Sequence, residues 1–289
     1  MTKTQTARPE FNRETAAATD FGVVEKPLSA WERVYNVDAV RKIAILLILA
    51  GIWQVYATWL NNDLLFPTFM STVSAFQDAI LNGDLMTRML ASIKVLLIGY
   101  STGLTMAMLM TVIAMTSRIG TDLLETLTAM LNPLPAIALL PLALIWFGLG
   151  TTSLVFVLVH SVLWPVSLNT HSGFLAVSNT LRMVGRNYGL TGFGYVTKIL
   201  IPAAFPSILT GLKNGWAFAW RTLIAAELVF GVSSGTGGLG WFIYEKKNLL
   251  EIPYVFAGLF SVILIGLFVE NFIFRIIEQH TVRKWGMQH

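Results

Sequence analysis

Apolar positions in this chain fall in long runs, not in the two-residue alternation of a half-buried strand. Runs of about 18 residues or more recur, and each can cross a roughly 30 Å bilayer core as a helix. A single helix satisfies its own backbone polar groups, which lipid cannot do. The pattern predicts about six such spans, near 40–60, 89–115, 123–149, 153–168, 204–230 and 254–276. The third holds Pro133, Pro135 and Pro141. Three prolines within nine residues do not fit one straight helix, so this span is expected to be broken or kinked.

The polar segments complete an all-α, polytopic plan. Residues 1–30 are polar and poor in aromatics, as in a flexible tail. Trp31 to Lys42 reads as a short interfacial helix, with Trp31 and Tyr35 at headgroup level. In the segment after the first span, Ser71 is expected to cap a short amphipathic helix ending near Asn82-Gly83. The organisation is then a tail and interfacial segment over 1–38, a membrane domain over 39–276 and a second tail over 277–289.

Composition agrees with this solvent. Of 289 residues 55% are hydrophobic and 12% charged, against about a quarter charged in soluble domains. There is no cysteine, which excludes disulfides, thiolate metal sites and cysteine nucleophiles. No two histidines or carboxylates have metal-ligand spacing, so no metal site is expected. The net charge of +4 marks loop topology here, not nucleic-acid binding. No cleavable signal peptide is expected, since the first 38 residues hold no apolar run of the needed length.

Orientation follows from Lys and Arg. Lys3, Arg8, Arg13, Lys26, Arg33, Arg41 and Lys42 precede the first span, and Arg118, Arg182, Arg186 and Lys198 lie in later loops on the same side. Arg275, Arg283 and Lys284 close the chain. The opposite side holds Lys246 and Lys247, with Arg88 at a helix start. Both termini are therefore expected in the cytoplasm.

The largest inner loop, about 171–203, reads HSGFLAVSNTLRMVGRNYGLTGFGYVTKILIPA. Ser178 is placed to cap a helix, and Gly189 to end it at a C′ position. A second short piece, 193–200, leads to Ile201-Pro202, and Pro206 falls in the first turn of the fifth span. Phe174, Leu181, Met183, Tyr188, Leu190, Phe193 and Tyr195 need a surface to pack on. They either fold back on their own helix ends or dock a cytoplasmic partner.

This loop resembles the coupling loop of ABC importer permeases of the binding-protein-dependent type. Their pattern is Glu-Ala-Ala, three residues, Gly, nine residues, Ile, one residue, Leu-Pro. Gly189, Ile199 and Ile201-Pro202 match it, while Met183-Val184-Gly185 stands in place of Glu-Ala-Ala. LNPLPAIALLPLALIWFGLG (131–150) and WRTLIAAEL (220–228) resemble the taurine, nitrate and aliphatic-sulfonate permeases. The resemblance implies a type I ABC importer permease fold in the plasma (inner) membrane and a small anionic solute. It implies a second permease copy as a homodimer, two cytoplasmic ATP-binding subunits and a periplasmic or surface solute-binding protein. ATP and magnesium would sit on the ATPase, for the glycine-rich 231–240 lacks the Lys-Ser/Thr of a phosphate-binding loop. That stretch reads as a tight outer loop or a mobile outer gate. Arg182, Arg186, Tyr188, Gly189, Leu190, Ile199 and Pro202 become the candidates for ATPase coupling.

Charges inside spans cost about 2.5–3.5 kcal/mol on insertion scales and are functional suspects. Arg221 and Glu227 in the fifth span are candidates for the translocation path, and Glu270 lies in the sixth. The competing reading is that each locks its helix to a neighbour by an ion pair. Lone His160 reads first as a hydrogen-bonded core residue, and His171 as a helix-terminus residue. The pairs Gly99/Gly103 and Gly211/Gly215 permit close helix contact, read first as internal packing. The alternative functions are an ion-gradient-driven secondary transporter, which calls for inverted repeats with broken helices in both halves, and an ABC permease for a neutral or cationic molecule. A membrane enzyme would need clustered polar residues at one depth.

The cysteine-free background makes topology directly testable. A cysteine at Thr6 is expected to resist membrane-impermeant maleimide added outside cells, and one at Asn62 to react. Labelling of the Thr6 position from outside would reverse the orientation.

Overall fold

The computed structural model describes residues 32, 35–230 and 237–284. The described residues are helical throughout their regular structure, with no strand among them. Helices α1 (Asp38–Leu60), α2 (Phe69–Leu81), α3 (Leu85–Thr116) and α4 (Arg118–Leu131) come first. A 3₁₀ turn, Ala136–Leu139, precedes α5 (Leu140–Phe147), followed by α6 (Thr151–Ala176), α7 (Asn179–Asn187) and α8 (Gly192–Tyr195). A π-turn, Val196–Leu200, runs into α9 (Ile201–Phe230); α10 (Leu239–Asn248) and α11 (Ile252–Phe268) follow. The last stretch is π-helical over Val269–Phe274, α-helical in α12 (Arg275–Glu278) and π-helical over Gln279–Arg283.

Five helical stretches are long and apolar enough to cross a membrane: Asp38–Leu60, Leu85–Thr116, Thr151–Ala176, Val196–Val229 and Ile252–Val282. A sixth is the bent pair Arg118–Leu131 and Ala136–Phe147, whose arms meet at 88°. The bend is the one the prolines predict. Helix α4 ends with Asn132 donating to Thr128. Pro133 and Pro135 lack the amides that would continue the ladder, and Pro141 sits harmlessly in the first turn of α5.

The chain divides into two compact units, residues 1–52 and 53–289. In the first, Arg41 donates to the Tyr35 carbonyl at 2.7 Å and pairs with Asp38. The predicted tail over 1–30, and Trp31, lie outside the described residues. In the second, α6 is the central element. Leu154, Val157, Leu158, Val162 and Val166 are all buried on it. Two flanking helices reach it through small residues. A Cβ at Gly99 or Gly103 of α3 would come within 2.6 Å of Leu158 or 2.7 Å of Val162. On α9, a Cβ at Gly211 or Gly215 would lie 2.9 Å from Asn169 or Val166. Both glycine pairs therefore face α6 and serve internal packing. Tyr100 Oη donates to the Leu212 carbonyl at 3.0 Å, tying α3 to α9. Away from α6 the apolar side chains stand uncovered, as on Leu109, Val112, Ile263 and Leu267.

Several boundaries move from the sequence expectation. The α2 cap is Thr68, not Ser71: its hydroxyl accepts from the Ser71 amide at 3.1 Å. Helix α6 continues eight residues past 168, because Asn169 and His171 turn into protein and not toward lipid. Asn169 donates to the Pro165 carbonyl at 2.7 Å, and His171 is buried, so it is an interior residue of the helix. The inner loop accordingly starts at 177, not 171. Pro206 lies inside a continuous helix, since α9 is entered through the Val196–Leu200 π-turn. That wide turn sits just before Pro202, where the missing amide and the ring crowd a regular ladder. The last span runs on to Arg283, because Val282 is buried against Leu209, Val269 and Phe274, and Lys213 pairs with Glu278 at 2.6 Å. At the other end of this helix, charges are neutralised locally. Arg88 pairs with Asp84 at 2.6 Å and Glu245 at 3.2 Å, Lys246 with Glu251 at 2.6 Å. The Tyr254 hydroxyl and Asn82 donate to Asp78 and hold its carboxyl below the usual carboxylate range.

The glycine contacts make a prediction. Gly103→Leu forces Val162 of α6 away and should destabilise the protein by about 1–3 kcal/mol. Gly51→Leu, where a Cβ meets nothing within 4 Å, is the control. Thermal unfolding in detergent micelles should show a lowered midpoint for the first alone.

Candidate functional site

Two regions gather the candidate residues. The first is the elbow between α6 and α9. The Ser178 hydroxyl accepts from the Leu181 amide at 3.4 Å, capping α7 as expected. At the other end Gly189 has φ +70°. Its amide donates to Arg186 at 2.9 Å, and the Leu190 amide to Gly185 at 3.1 Å. This pair of bonds is a Schellman closure, and the left-handed residue it requires is why a glycine stands there.

The elbow has an inner and an outer face. Gly185 is buried against Ile199 and Tyr195, where a Cβ would fall 2.9 and 3.0 Å from their side chains. Ile199 thus supports the elbow from inside, and Pro202 is half-buried at the start of α9. Arg182 does not point outward. Its Nη2 donates to the Phe174 carbonyl at 2.6 Å and its Nε to Val177 at 3.0 Å. These carbonyls lie where the α6 ladder ends, the first also accepting from the Val177 amide at 3.4 Å, so Arg182 caps α6 and pins the elbow to it. The outer face consists of Leu181, Met183, Arg186, Tyr188 and Gly189, with Leu190 half-buried; Tyr188 is 82% exposed. A Cβ at Gly189 meets nothing within 4 Å, so the elbow leaves open space there.

The second region is a cavity of about 420 Å³ at the break in the third span. Asn132, Pro133 and Pro135 line it from the break, His160, Ser161 and Trp164 from α6, and Phe218, Arg221 and Thr222 from α9. Arg221 Nε donates to the Ala217 carbonyl at 2.9 Å, and its guanidinium lies 5.0 Å from the Phe218 ring centroid. Ser161 Oγ donates to Thr222 Oγ1 at 3.1 Å. Among the described residues no Asp or Glu lines the cavity. Among the described residues Arg221 has no ion pair, so the helix-locking reading fails for it.

Glu227 is not part of this cavity. It is 1% exposed, and its carboxylate accepts from Ser92 Oγ at 2.7 and 2.9 Å and from the Gly240 amide at 2.9 Å. The same Ser92 oxygen accepts from the Leu239 amide at 2.7 Å. Together they cap the first turn of α10, whose own N-cap, Gly238, carries no side chain to do so. A Cβ at Gly238 would lie 2.1 Å from Glu227 Oε1, so the cap residue has to be bare. Glu227 secures α10 to α3 and α9. Glu270 is exposed on a π-turn, and 231–236, the expected outer loop or gate, lie outside the described residues.

Sequence reasoning missed His160 and Trp164 as cavity residues. His160, read as a hydrogen-bonded core residue, has no partner on either ring nitrogen, and Trp164 Nε1 has none either. Their spacing of four was the available signal, since it stacks both on one face of α6.

Comparison with known proteins adds a family. A family described as "binding-protein-dependent transport system inner membrane component" matches residues 99–283. The chain is 30% identical over 220 residues to an Escherichia coli permease protein named for aliphatic sulfonates transport, covering 75% of this chain and 82% of that one. It is 28% identical over 250 residues to the nitrate import permease protein of Synechocystis, covering 83% and 88%. The taurine transport system permease protein of Escherichia coli is 28% identical over 257 residues, covering 83% and 88%.

The contrast between the two charges on α9 is testable. Glu227→Ala orphans the Gly240 amide and the Ser92 hydroxyl, at about 1–3 kcal/mol for each. Arg221→Gln loses only a bond to its own helix and the Phe218 ring contact, and should leave stability within about 0.5 kcal/mol of wild type. Equal midpoints for the two variants would contradict the assignment.

Proposed function

This chain belongs to the binding-protein-dependent transport system inner membrane component family, and we propose from that premise that it is the membrane-spanning subunit of an ATP-driven importer for a small anion. Two copies form the path across the inner membrane, with both termini in the cytoplasm. Each copy seats its elbow on a cytoplasmic ATPase, where ATP and magnesium bind. A solute-binding protein outside delivers the cargo. Closure of the ATPase pair moves the elbows and swings the two copies between inward-open and outward-open forms. The relatives named for sulfonates, nitrate and taurine support an oxyanionic cargo. Arg221, without an ion pair beside the break, supports the same sign of charge.

The observation that carries the coupling role is the two-faced elbow. A rigid helix, closed at Gly189 and pinned by Arg182, exposes Leu181, Met183 and Tyr188 to whatever lies beyond the membrane. Solvent alone would not favour that row of apolar side chains; a partner groove would. Met183 stands where the family pattern has an acidic residue, so the contact here is more apolar than the pattern suggests.

The test is Gly189→Val. A β-branched residue at φ +70° is strained, and its side chain projects into space the ATPase would occupy. Transport in reconstituted vesicles should fall steeply at normal membrane levels. The ATPase should be lost on purification, or hydrolyse without stimulation by the binding protein. Arg186→Glu should weaken docking modestly and in a salt-dependent way. Arg182→Glu should do more harm, since it also uncaps α6. Normal stimulated hydrolysis and uptake in Gly189→Val would remove the elbow from the coupling role.

A further inference from the structure

We propose that the cavity at the break in the third span is a binding site for a small oxyanion, held by Arg221 together with Trp164 and His160. This deepens the reading of the chain as an anion permease and rests on it. A path that merely tolerates anions needs a positive wall. A site needs donors with nothing else to bind, and residues that line this cavity carry them.

Among the described residues Arg221 brings a permanent charge with no carboxylate paired to it, and no described Asp or Glu lines the cavity. A cation entering there would meet the guanidinium and no compensating charge. A neutral solute would leave the guanidinium uncompensated. An anion satisfies it. Trp164 is 6% exposed and its Nε1–H, a donor with no acceptor capacity, has no partner. His160 is likewise unpartnered at both nitrogens. The two rings sit 6.0 Å apart at 72° on one face of α6. Buried polar atoms without partners cost about 1–3 kcal/mol each, and most buried groups in folded proteins avoid that cost. The indole and the imidazole each bring one N–H donor without a partner, and both side chains line one cavity, which points to a ligand that supplies acceptors. The nitrogens are shielded from solvent in this conformation, and the imidazole meets a ligand by turning about its χ2 angle. A group with several acceptor oxygens and a negative charge, such as a sulfonate or nitrate, matches the donor set. The Ser161–Thr222 hydroxyl pair beside it supplies a further donor. The volume of about 420 Å³ lies at the small end of ordinary ligand pockets.

The experiment uses the intact permease–ATPase complex in lipid nanodiscs, without binding protein, so that any ligand signal comes from the membrane part. Methanesulfonate and nitrate are titrated as sodium salts at constant ionic strength made up with chloride. Dimethyl sulfone, close in shape to methanesulfonate but uncharged, is the control. The expected result is a saturable rise in unfolding midpoint with one or both oxyanions and none with the sulfone. Arg221→Gln should abolish it. Trp164→Phe, which removes the N–H and little volume, and His160→Leu should each weaken apparent affinity about three- to tenfold, one hydrogen bond's worth. Absence of any saturable rise in the wild type overturns the site. So does a rise with dimethyl sulfone equal to that with methanesulfonate. Unchanged affinity in Trp164→Phe, with loss in Arg221→Gln, overturns the roles of the α6 residues. Uptake in vesicles separates the two levels of the argument. If Arg221→Gln lowers uptake while no oxyanion shifts the midpoint, the anion path stands and the site falls. If uptake is also normal, both fall.

Discussion

Everything in the second unit depends on how closely α3 and α9 approach α6. Lipid tails are as apolar as leucine, so two membrane helices gain little by hiding apolar side chains from lipid. What holds them together is dispersion contact at short range and a few hydrogen bonds across the seam. Gly99 and Gly103 on one side, and Gly211 and Gly215 on the other, remove the side chains that would keep backbones apart. Leu158, Val162 and Val166 then fill the space, and Tyr100 bridges the two flanking helices. The central helix is thus gripped from both sides, and its buried polar residues, Ser161, Ser167 and His171, are accommodated by protein and not by lipid.

That grip links the two functional regions. The inner end of α6 is fastened to the elbow by Arg182, through the carbonyls of Phe174 and Val177. Fourteen residues earlier on the same helix, His160 faces the cavity, about 21 Å away at 1.5 Å per residue. No linker intervenes between the elbow and the wall of the cavity. Displacement of the elbow therefore reaches the cavity as movement of a single helix.

The sequence made the architecture legible where composition alone decides it. Long apolar runs located the spans, and the proline spacing located the break, because both rest on backbone hydrogen bonding that every side chain must obey. Ser178 and Gly189 were readable as caps for the same reason: their chemistry is local. Boundaries were misread wherever polar residues turn inward. Asn169 and His171 look like the end of a span to hydropathy, yet they are its continuation against protein. Residues past 276 look like a tail, yet Val282 is core. Arg182 looked like a docking charge because sequence gives no hint of which way a side chain folds. The cavity was invisible for a related reason, since it is made by three segments far apart in sequence: Pro133, Pro135, His160 and Arg221 were each conspicuous, but nothing in the sequence brings them together.

The two charges on α9 show what a sequence can and cannot decide about charge in a membrane. Arg221 and Glu227 are six residues apart, about 9 Å along the axis, and each alone is an expensive residue in lipid. The fold treats them oppositely. Glu227 is enclosed and its oxygens are occupied by Ser92 and the Gly240 amide, so its charge is spent on holding a helix end. Arg221 keeps a guanidinium bonded once to its own helix and otherwise open to the cavity. A charge whose partners are all in the protein is explained by the fold. A charge bonded only within its own helix is not explained by the fold alone. The broken third span belongs to the same picture, for Asn132, Pro133 and Pro135 at its 88° bend line the cavity beside Arg221.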